Sequence, residues 1–340
     1  MPSPPKQRPT IFDVAREAKV SITTVSLVLN GKGLVGQDTR DRVKGCASAL
    51  GYVPNVRAQR LRSRKAQTIA LISSMPLNIS GGESRLGFLM EIAAVAASVA
   101  LTKGLALMLI PPYESSRLPL ERLDIDGAIV VEPAAGDEQV IQLQNMGIPV
   151  VSLGRQAGLD SVPFIDLHST AAAQLLFRHL FAQGAVHIAL LIGASERSSY
   201  IETEAAYRNF CQEHGMAPIV SKAIEAGGDG AGYLAAKQLL LEHPEIDGIC
   251  AIAEAFAVGA VLAAKELGRN IPGDLKIVTR YDGFRIRNCK PPLTAVDLHL
   301  EDVAALAIHA LLDIFEGIPN PNQLLPPLPK LIPRHSSSNS

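Results

Sequence analysis

The chain has 340 residues, a length that suits two or three domains better than one. Hydrophobic residues make up 47% of it and charged residues 19%, which favours well-buried globular domains and excludes a largely disordered chain. Residues 1–66 carry thirteen Lys and Arg against four Asp and Glu, a net charge of +9, whereas the remainder carries −10. This asymmetry indicates a polyanionic partner for the first fifth of the chain, with a merely solvated basic surface as the alternative.

The four cysteines form no Cys-x-x-Cys pair and no Cys/His cluster at zinc spacing. They are typical of small buried thiols in a reducing compartment, so we expect a cytoplasmic protein without a metal site or a cofactor. The polar, Pro-rich start of the chain lacks an apolar signal segment. Because Glu91, Lys103 and Gly104 interrupt the most apolar stretch, residues 86–110, we expect a buried helix and strand there rather than a membrane span.

The first fifth of the chain predicts a tight pair of helices. Thr10 is a suitable N-cap, and apolar residues follow it at helical spacing, namely Ile11, Val14, Ala15 and Ala18. Ser21 caps a second helix, Ile22–Leu29, and the short connection predicts helix-turn-helix geometry.

A third helix is predicted from Asp38 to the helix stop at Gly51. The residues expected to close a three-helix core are Val43, Cys46, Ala47 and Leu50. Residues 55–67 are basic and only weakly amphipathic, so we predict a hinge that becomes ordered on binding. The resulting headpiece spans residues 10–54, after a disordered arm at 1–9.

From Thr68 onward the sequence alternates apolar strands with helices. The strand candidates are Ile69–Ser73, Ala106–Ile110, Gly127–Val131, Val150–Leu153, Ile188–Ile192, Gly248–Ile252 and Leu275–Val278. This order predicts right-handed βαβ units in doubly wound parallel sheets, an α/β fold. The segment is longer than one such sheet needs, so we expect two subdomains over residues 68–335, with crossovers near 165 and 295. A disordered tail is expected at 336–340.

The second helix offers a candidate DNA-contacting face. The side chains predicted to point away from its packed side are Thr23, Thr24, Ser26 and Leu27. Short hydroxyls can donate to phosphates and base edges, and an apolar side chain can contact a thymine methyl. The alternative is that these residues only form the polar surface of a helix.

The whole window resembles the headpiece and hinge of the LacI/GalR (lactose/galactose repressor) family. The segments that carry the resemblance are Thr10–Ala15, Val20–Asn30, Thr39–Arg40, Gly51–Asn55 and Ala58–Leu61. It implies contacts with DNA phosphates from Ser21, Thr24, Ser26, Asn30, Thr39, Tyr52 and Asn55. The implied base-facing residues are Ile22, Thr23 and Leu27, and the implied DNA-binding set also includes Thr10, Ala58 and Gln59.

The resemblance also assigns a role to Leu61. A leucine at this place, from each of two paired hinge helices, enters the minor groove and kinks the DNA. The alternative is an apolar contact between hinge and core.

Two departures from the family pattern stand in the headpiece: Leu27 replaces an Arg or His that reads a base in many members, and Gly36 replaces a Ser that caps the third helix.

The core resembles the same family through several segments, among them Asp126–Val130, His187–Gly193, Ile271–Leu275 and Leu331–Arg334. This implies a bilobed core like that of the periplasmic binding proteins, with a small-molecule effector in its cleft. The implied effector contacts are Ser74, Thr203, Glu254 and Asp282.

The match weakens at the implied effector site. Thr203 stands where sugar-binding relatives have an Arg, and Arg280 stands where they have a Gly. The candidate effectors are a sugar, a sugar phosphate and an organic acid. Because Arg280 would pair with a negative charge, we hypothesise an anionic effector rather than a neutral hexose. The alternative is that Arg280 faces solvent and that other residues, such as Glu254, Arg155 or Arg197, rebuild a sugar site.

The resemblance implies a homodimeric regulator, expected to be a repressor, that binds a pseudo-palindromic operator in the bacterial cytoplasm, at the nucleoid. The alternatives are a periplasmic-type solute-binding protein and a metabolic enzyme built on the same core. The basic headpiece argues against the first. No GxGxxG follows the first strand, and P-loop, GxSxG and HExxH motifs do not occur, so we predict no catalytic residue.

We predict that DNA binding by the full-length chain weakens steeply with salt, while effector binding does not. The reason is that the basic headpiece and hinge release counterions from the phosphates. Affinity for one DNA fragment should fall by about a hundredfold or more between roughly 50 and 200 mM salt. A flat log–log plot would contradict a phosphate-binding role for this charge.

Overall fold

In a computed structural model the chain forms two compact units, Met1–Ala66 and Gln67–Ser340. The structure describes residues 9–29, 31, 33–53, 65–80, 87–111, 119–158, 161–319 and 321–338. The predicted DNA contacts that lie outside these residues are Asn30, Asn55, Ala58, Gln59 and Leu61, together with most of the predicted arm and hinge. In the part of the chain that is described, no helix combines the length and apolar character needed to cross a membrane.

The described headpiece consists of three helices packed on a small apolar core. Their bounds are Ile11–Glu17 (α1), Ile22–Leu29 (α2) and Gln37–Leu50 (α3). The side chains with no exposed surface are Val14, Ala18, Val25 and Val43. These are the positions that the helical spacing places inward, with Ala18 allowing the close approach of α1 and α2.

Polar contacts fix the ends of these helices. The N–H and the hydroxyl of Thr10 both donate to the Asp13 carboxylate, at 2.9 and 2.7 Å. Gly51 ends α3 in the left-handed region, at φ 65°. Arg42 Nε donates to the Ala18 carbonyl at 3.1 Å and so joins α3 to the turn between α1 and α2. Leu50 was expected in the core but is 37% exposed, whereas Tyr52, after the turn at Gly51, packs against the headpiece core.

The second unit contains parallel sheets covered by helices. Its strands are Thr68–Ser73 (β1), Ala106–Ile110 (β2), Gly127–Val131 (β3), Val150–Leu153 (β4), Phe164–Ile165 (β5), Ile188–Gly193 (β6), Ile219–Ala223 (β7), Gly248–Ala251 (β8), Lys276–Thr279 (β9), Ala295–Asp297 (β10), Gln323–Leu324 (β11) and Lys330–Ile332 (β12). Its helices are Leu77–Ser80 (α4), Phe88–Thr102 (α5), Glu138–Asn145 (α6), Ser169–Ala182 (α7), Ser198–His214 (α8), Gly228–Glu242 (α9), Glu254–Glu266 (α10), Phe284–Arg287 (α11) and Leu300–Glu316 (α12).

Two sheets define two lobes. The first lobe has a parallel sheet of six strands in the order β11-β5-β4-β3-β1-β2, and the second has four parallel strands in the order β7-β6-β8-β9. A separate antiparallel pair joins β10 to β12. Strands β1, β3 and β6 are buried along their whole length, as expected for parallel strands with helices on both faces. The predicted doubly wound α/β fold is confirmed.

The seven predicted strands all exist, with ends within one residue of those expected, but five others were missed. Four of the missed strands have only two or three residues, which is too few to show a recognisable apolar pattern in the sequence. The fifth, β7, lies at a sheet edge and includes the polar residues Ser221 and Lys222. The chain passes between the lobes after β5 and after β10, and a third passage, between β11 and β12, was not anticipated.

The expected disordered tail is wrong for Ser336 and Ser337, which have no exposed surface. Ser336 Oγ donates to the Ile277 carbonyl at 2.5 Å and accepts the Thr294 N–H at 2.9 Å. Ser337 Oγ lies 2.7 Å from His179 Nε2 and 2.5 Å from Thr294 Oγ1. Small hydroxyl side chains thus satisfy backbone and imidazole groups inside the second lobe. Burial lowers the pKa of His179.

We predict that Gly259→Ala destabilises the core, because α9 and α10 approach closely at this residue. A Cβ on Gly259 would lie 2.5 Å from the Asp229 carbonyl oxygen, so one helix must shift, at a cost of about 1–3 kcal/mol. Gly230→Ala is the matched control on α9, since a Cβ there meets nothing within 4 Å. It should stabilise by about 0.5 kcal/mol. Urea unfolding of both variants checks this, and equal effects would contradict the close approach.

Candidate nucleic-acid interface and ligand cleft

Helix α2 presents an open face to solvent. Thr23 is exposed and Leu27 is 36% exposed, whereas Val25 and Val28 on the opposite side are buried. The predicted contact residues at the border of this face are half-buried, namely Ile22, Thr24 and Ser26. The open face is therefore centred on Thr23 and Leu27, narrower than the sequence predicted.

Hydroxyl groups gather at the start of α2. Ser21 Oγ accepts the Thr24 N–H at 3.1 Å and lies 2.9 Å from Thr24 Oγ1. The backbone N–H groups and the dipole of a helix favour an anion at its N-terminus, so a phosphate could approach the two hydroxyls here. Thr39, in the first turn of α3, and Tyr52, after Gly51, are half-buried. Partial burial raises the pKa of the Tyr52 phenol.

In the core, residues that directly follow the strands bring the two lobes together. Arg197 follows β6 and is only 3% exposed. Its guanidinium donates to the Ser74 carbonyl oxygen at 2.9 Å and to that of Glu132, both in the first lobe. Its Nε lies 3.0 Å from Glu225 Oε1 in the second lobe. One buried cation thus joins the carboxyl ends of β1, β3 and β6.

Glu132 is a second point of contact between the lobes. It has φ 50°, an unfavourable value for a residue with a side chain, and its carboxylate is buried. Oε1 accepts from Arg280 at 2.8 Å and Oε2 accepts from the Ser199 hydroxyl at 2.6 Å. The alternative that Arg280 faces solvent is therefore wrong. The positive charge of Arg280 is paired with Glu132, which weakens the argument for an anionic effector. The buried Nε of Arg280 has no hydrogen-bond partner among the described residues.

Of the four predicted effector contacts, Glu254 lines one of the two cavities described below, and the other three line neither. The Ser74 hydroxyl donates to Asp137. Both oxygens of Asp282 are held by Arg334, at 2.6 and 2.9 Å. Thr203 has no exposed surface, and its hydroxyl has no hydrogen-bond partner among the described residues.

Two cavities adjoin the contacts between the lobes. The smaller, of about 50 Å³, is mostly apolar and is lined by residues that include Met75, Ile79, Phe88, Tyr281, Leu298 and Glu254. The larger, of about 370 Å³, is polar and is lined by residues that include Arg155, Asp166, Ser169, Ser198, Glu202 and Gln323. Ser199 belongs to the walls of both, so the cavities are neighbours.

Carboxylates in these walls have shifted pKa values. Burial raises the pKa of Glu254 to about 7, although nearby Arg285 opposes the shift. Burial and the negative charge of Asp166 raise the pKa of Glu202.

Sequence reasoning missed Glu132 and Glu202. Glu132 could have been found, because it directly follows the predicted strand Gly127–Val131, and ligand sites of such sheets lie at the carboxyl ends of the strands.

Comparison with known proteins matched both units. The profile of the lacI family of bacterial regulatory proteins matches residues 10–55, and that of the periplasmic binding protein-like domain matches residues 177–337. The ribose operon repressor of Halalkalibacterium halodurans is 32% identical over 317 residues, covering 91% of each chain. The transcriptional regulator CelR of Thermobifida fusca is 27% identical, covering 92% of this chain and 93% of its own.

Two solved structures share the fold over nearly the whole chain. A lac repressor dimer bound to operator and the anti-inducer ONPF superposes with a TM-score of 0.75 at 23% identity, covering 97% of this chain and 99% of its own. A complex of the regulator CelR with cellobiose superposes with a TM-score of 0.69 at 24% identity, covering 97% and 100%.

We predict that Glu254→Gln stabilises the core at pH 8 but not at pH 4.5. Since the pKa of Glu254 rises from 4.5 to about 7 on folding, the folded state retains a proton that the unfolded state releases. The contribution of this retained proton to the free energy of unfolding is complete below pH 4.5 and is lost as the pH rises through 7. The advantage of the glutamine should reach up to about 3 kcal/mol at pH 8. Unfolding free energies at both pH values check this, with surface variant Glu213→Gln as control.

Proposed function

We propose that this chain, which belongs to the lacI family of bacterial regulatory proteins, represses transcription by placing α2 in the major groove of operator DNA. The chain is a DNA-binding transcriptional regulator with a ligand-binding core. One observation carries the proposal for α2: Thr23 and Leu27 are exposed on one face, while the buried Val25 and Val28 hold the opposite face against the headpiece core.

In this arrangement the contacts divide into two kinds. Thr23, Leu27 and the half-buried Ile22 face base edges, where Leu27 suits a thymine methyl. Ser21 and Thr24, at the start of α2, contact a phosphate and fix the position of the helix without reading sequence. We assign the same positioning role to Thr10, Ser26, Thr39 and Tyr52, and extend it to Asn30, Asn55, Ala58 and Gln59 from the family resemblance. For Leu61 the resemblance implies a different role, insertion into the minor groove that kinks the DNA.

Two copies of the chain bind one operator in this proposal. The solved lac repressor structure is a dimer bound to its operator, and a two-fold protein matches a pseudo-palindromic site. We place the regulator in the cytoplasm, at the nucleoid, and assign no catalytic role to the core, since the relatives are named as regulators.

The effector binds between the lobes. The carboxyl ends of both sheets meet there, which is where open α/β sheets bind ligands. The polar cavity of about 370 Å³ has room for a molecule of metabolite size. The hydroxyls of the buried Ser169 and Ser198 and the carboxylates of Asp166 and Glu202 suit a hydroxyl-bearing body. The relative CelR is described in complex with cellobiose, a ligand of that kind.

We predict that Leu27→Arg changes the preferred operator. An Arg on the exposed face of α2 reaches the O6 and N7 acceptors of guanine, which a leucine cannot bind. Selection of bound fragments from random DNA by the wild-type and variant proteins gives two consensus sequences to compare. The same consensus for both would contradict the assignment of this face to the bases.

Ser21→Ala is the matched control for this experiment. It removes a hydroxyl that caps α2 and contacts a phosphate, so it should weaken all sequences alike, by about 1 kcal/mol, and leave the consensus unchanged. If wild-type protein selects no sequence at all, the proposed function is wrong.

A further inference from the structure

Glu254 is an unusual residue to find at the wall of an apolar cavity. It is the first residue of α10 and only 6% exposed. One carboxylate oxygen is engaged by the backbone N–H of Arg285. The other, Oε1, is buried and accepts no hydrogen bond from any described residue, and the residue lines the cavity. A buried acceptor without a partner is costly, so this oxygen is suited to a ligand donor.

The nearest cations are already paired with other carboxylates. The Arg285 guanidinium binds both oxygens of Asp229, with NH1 to Oδ1 at 3.0 Å. Arg280, also in the cavity wall, binds Glu132 at 2.8 Å. Glu91 and Asp229 add negative charge near Glu254 and raise its pKa further. When Glu254 is ionised, its charge is therefore not balanced by a cation of its own.

The rest of the cavity suits a small organic cation. Phe88 and Tyr281 line it and meet edge to face, with ring centroids 5.3 Å apart at 84°. Aromatic rings attract cations, and the apolar surroundings strengthen an ion pair. The cavity volume of about 50 Å³ admits only about three or four non-hydrogen atoms. That is the size of an ammonium group with its first carbons, and smaller than a sugar ring.

We propose that the effector carries a protonated amine, which enters this cavity and binds Glu254 Oε1 beside Phe88 and Tyr281. This inference rests on the proposed function, because it names a chemical group of the effector that the cleft binds. The body of the same molecule extends past Ser199, which lines both cavities, into the polar cavity.

An ammonium group fits better than the two alternatives. A neutral hydroxyl would supply one hydrogen bond to Oε1 but would leave the carboxylate charge unbalanced. A carboxylate or phosphate would add a second negative charge beside Glu254 and Glu91. An ammonium supplies both the hydrogen bond and the charge, and charge-assisted hydrogen bonds are the stronger kind.

Three probes that differ in one group test the proposal: ethylammonium chloride, ethanol and sodium acetate. Each is added at 100 mM, at pH 8 and constant ionic strength, to the full-length protein. Thermal unfolding is followed by circular dichroism. Ethylammonium should raise the Tm by about 2 °C, while ethanol and acetate should not.

Two variants locate the effect. Glu254→Gln should abolish the response to ethylammonium, and Glu254→Asp, which keeps the charge, should retain part of it. As the control, Glu213→Gln, which removes an exposed carboxylate on α8, should respond like the wild type. Equal responses to all three probes, no response to ethylammonium, or an undiminished response in Glu254→Gln would overturn the proposal.

Gel shifts with a selected operator separate this inference from the proposed function. If the protein binds operator but does not respond to ethylammonium, the amine site is rejected and the proposed function as a regulator stands. A response that depends on Glu254, in protein that selects no operator, would support the site and reject the DNA-binding proposal.

Discussion

The core depends on one buried cation. Arg197 donates to backbone carbonyls at the ends of β1 and β3 in one lobe and pairs with Glu225 in the other, with only 3% of its surface exposed. A guanidinium has several donors in a fixed plane and keeps its charge, so it can serve carbonyls and a carboxylate together where a lysine could not. Removing it would leave both carbonyl oxygens and the buried Glu225 without this partner, which is why we regard Arg197 as structural rather than ligand-binding.

The same pattern governs the chemistry of the cleft. Arg280 and Arg285 also pair with carboxylates of the protein. Arg280, which the sequence analysis assigned to a ligand, instead joins the two lobes through Glu132. Acids also line both cavities: Glu254 lies in the wall of the apolar one, and Glu202 and Asp166 lie with Arg155 in the wall of the polar one. The site proposed at Glu254 would take a hydrogen-bond donor, in contrast to the anionic effector expected from the sequence.

The limits of prediction follow from the range of the interactions. Helices α1 to α3 and seven of the strands depend on local spacing of apolar residues and on caps such as Gly51, and these could be predicted. The partners of Arg280 and Asp282 could not, because Glu132 lies 148 residues from Arg280 and Arg334 lies 52 residues from Asp282. Family resemblance placed both residues at the cleft but could not show that their charges were already paired.

The buried serines near the C-terminus have a consequence for synthesis on the ribosome. Strand β11 completes the first sheet, and β12 with Ser336 and Ser337 completes the second lobe, so neither lobe is a continuous segment. The headpiece, in contrast, is contiguous within the first 66 residues. Because a chain emerges from its N-terminus and contiguous units fold as they appear, the DNA-contacting unit is finished hundreds of residues before the core that controls it. Every nascent copy therefore passes through a stage in which it carries a folded headpiece and no means of responding to an effector.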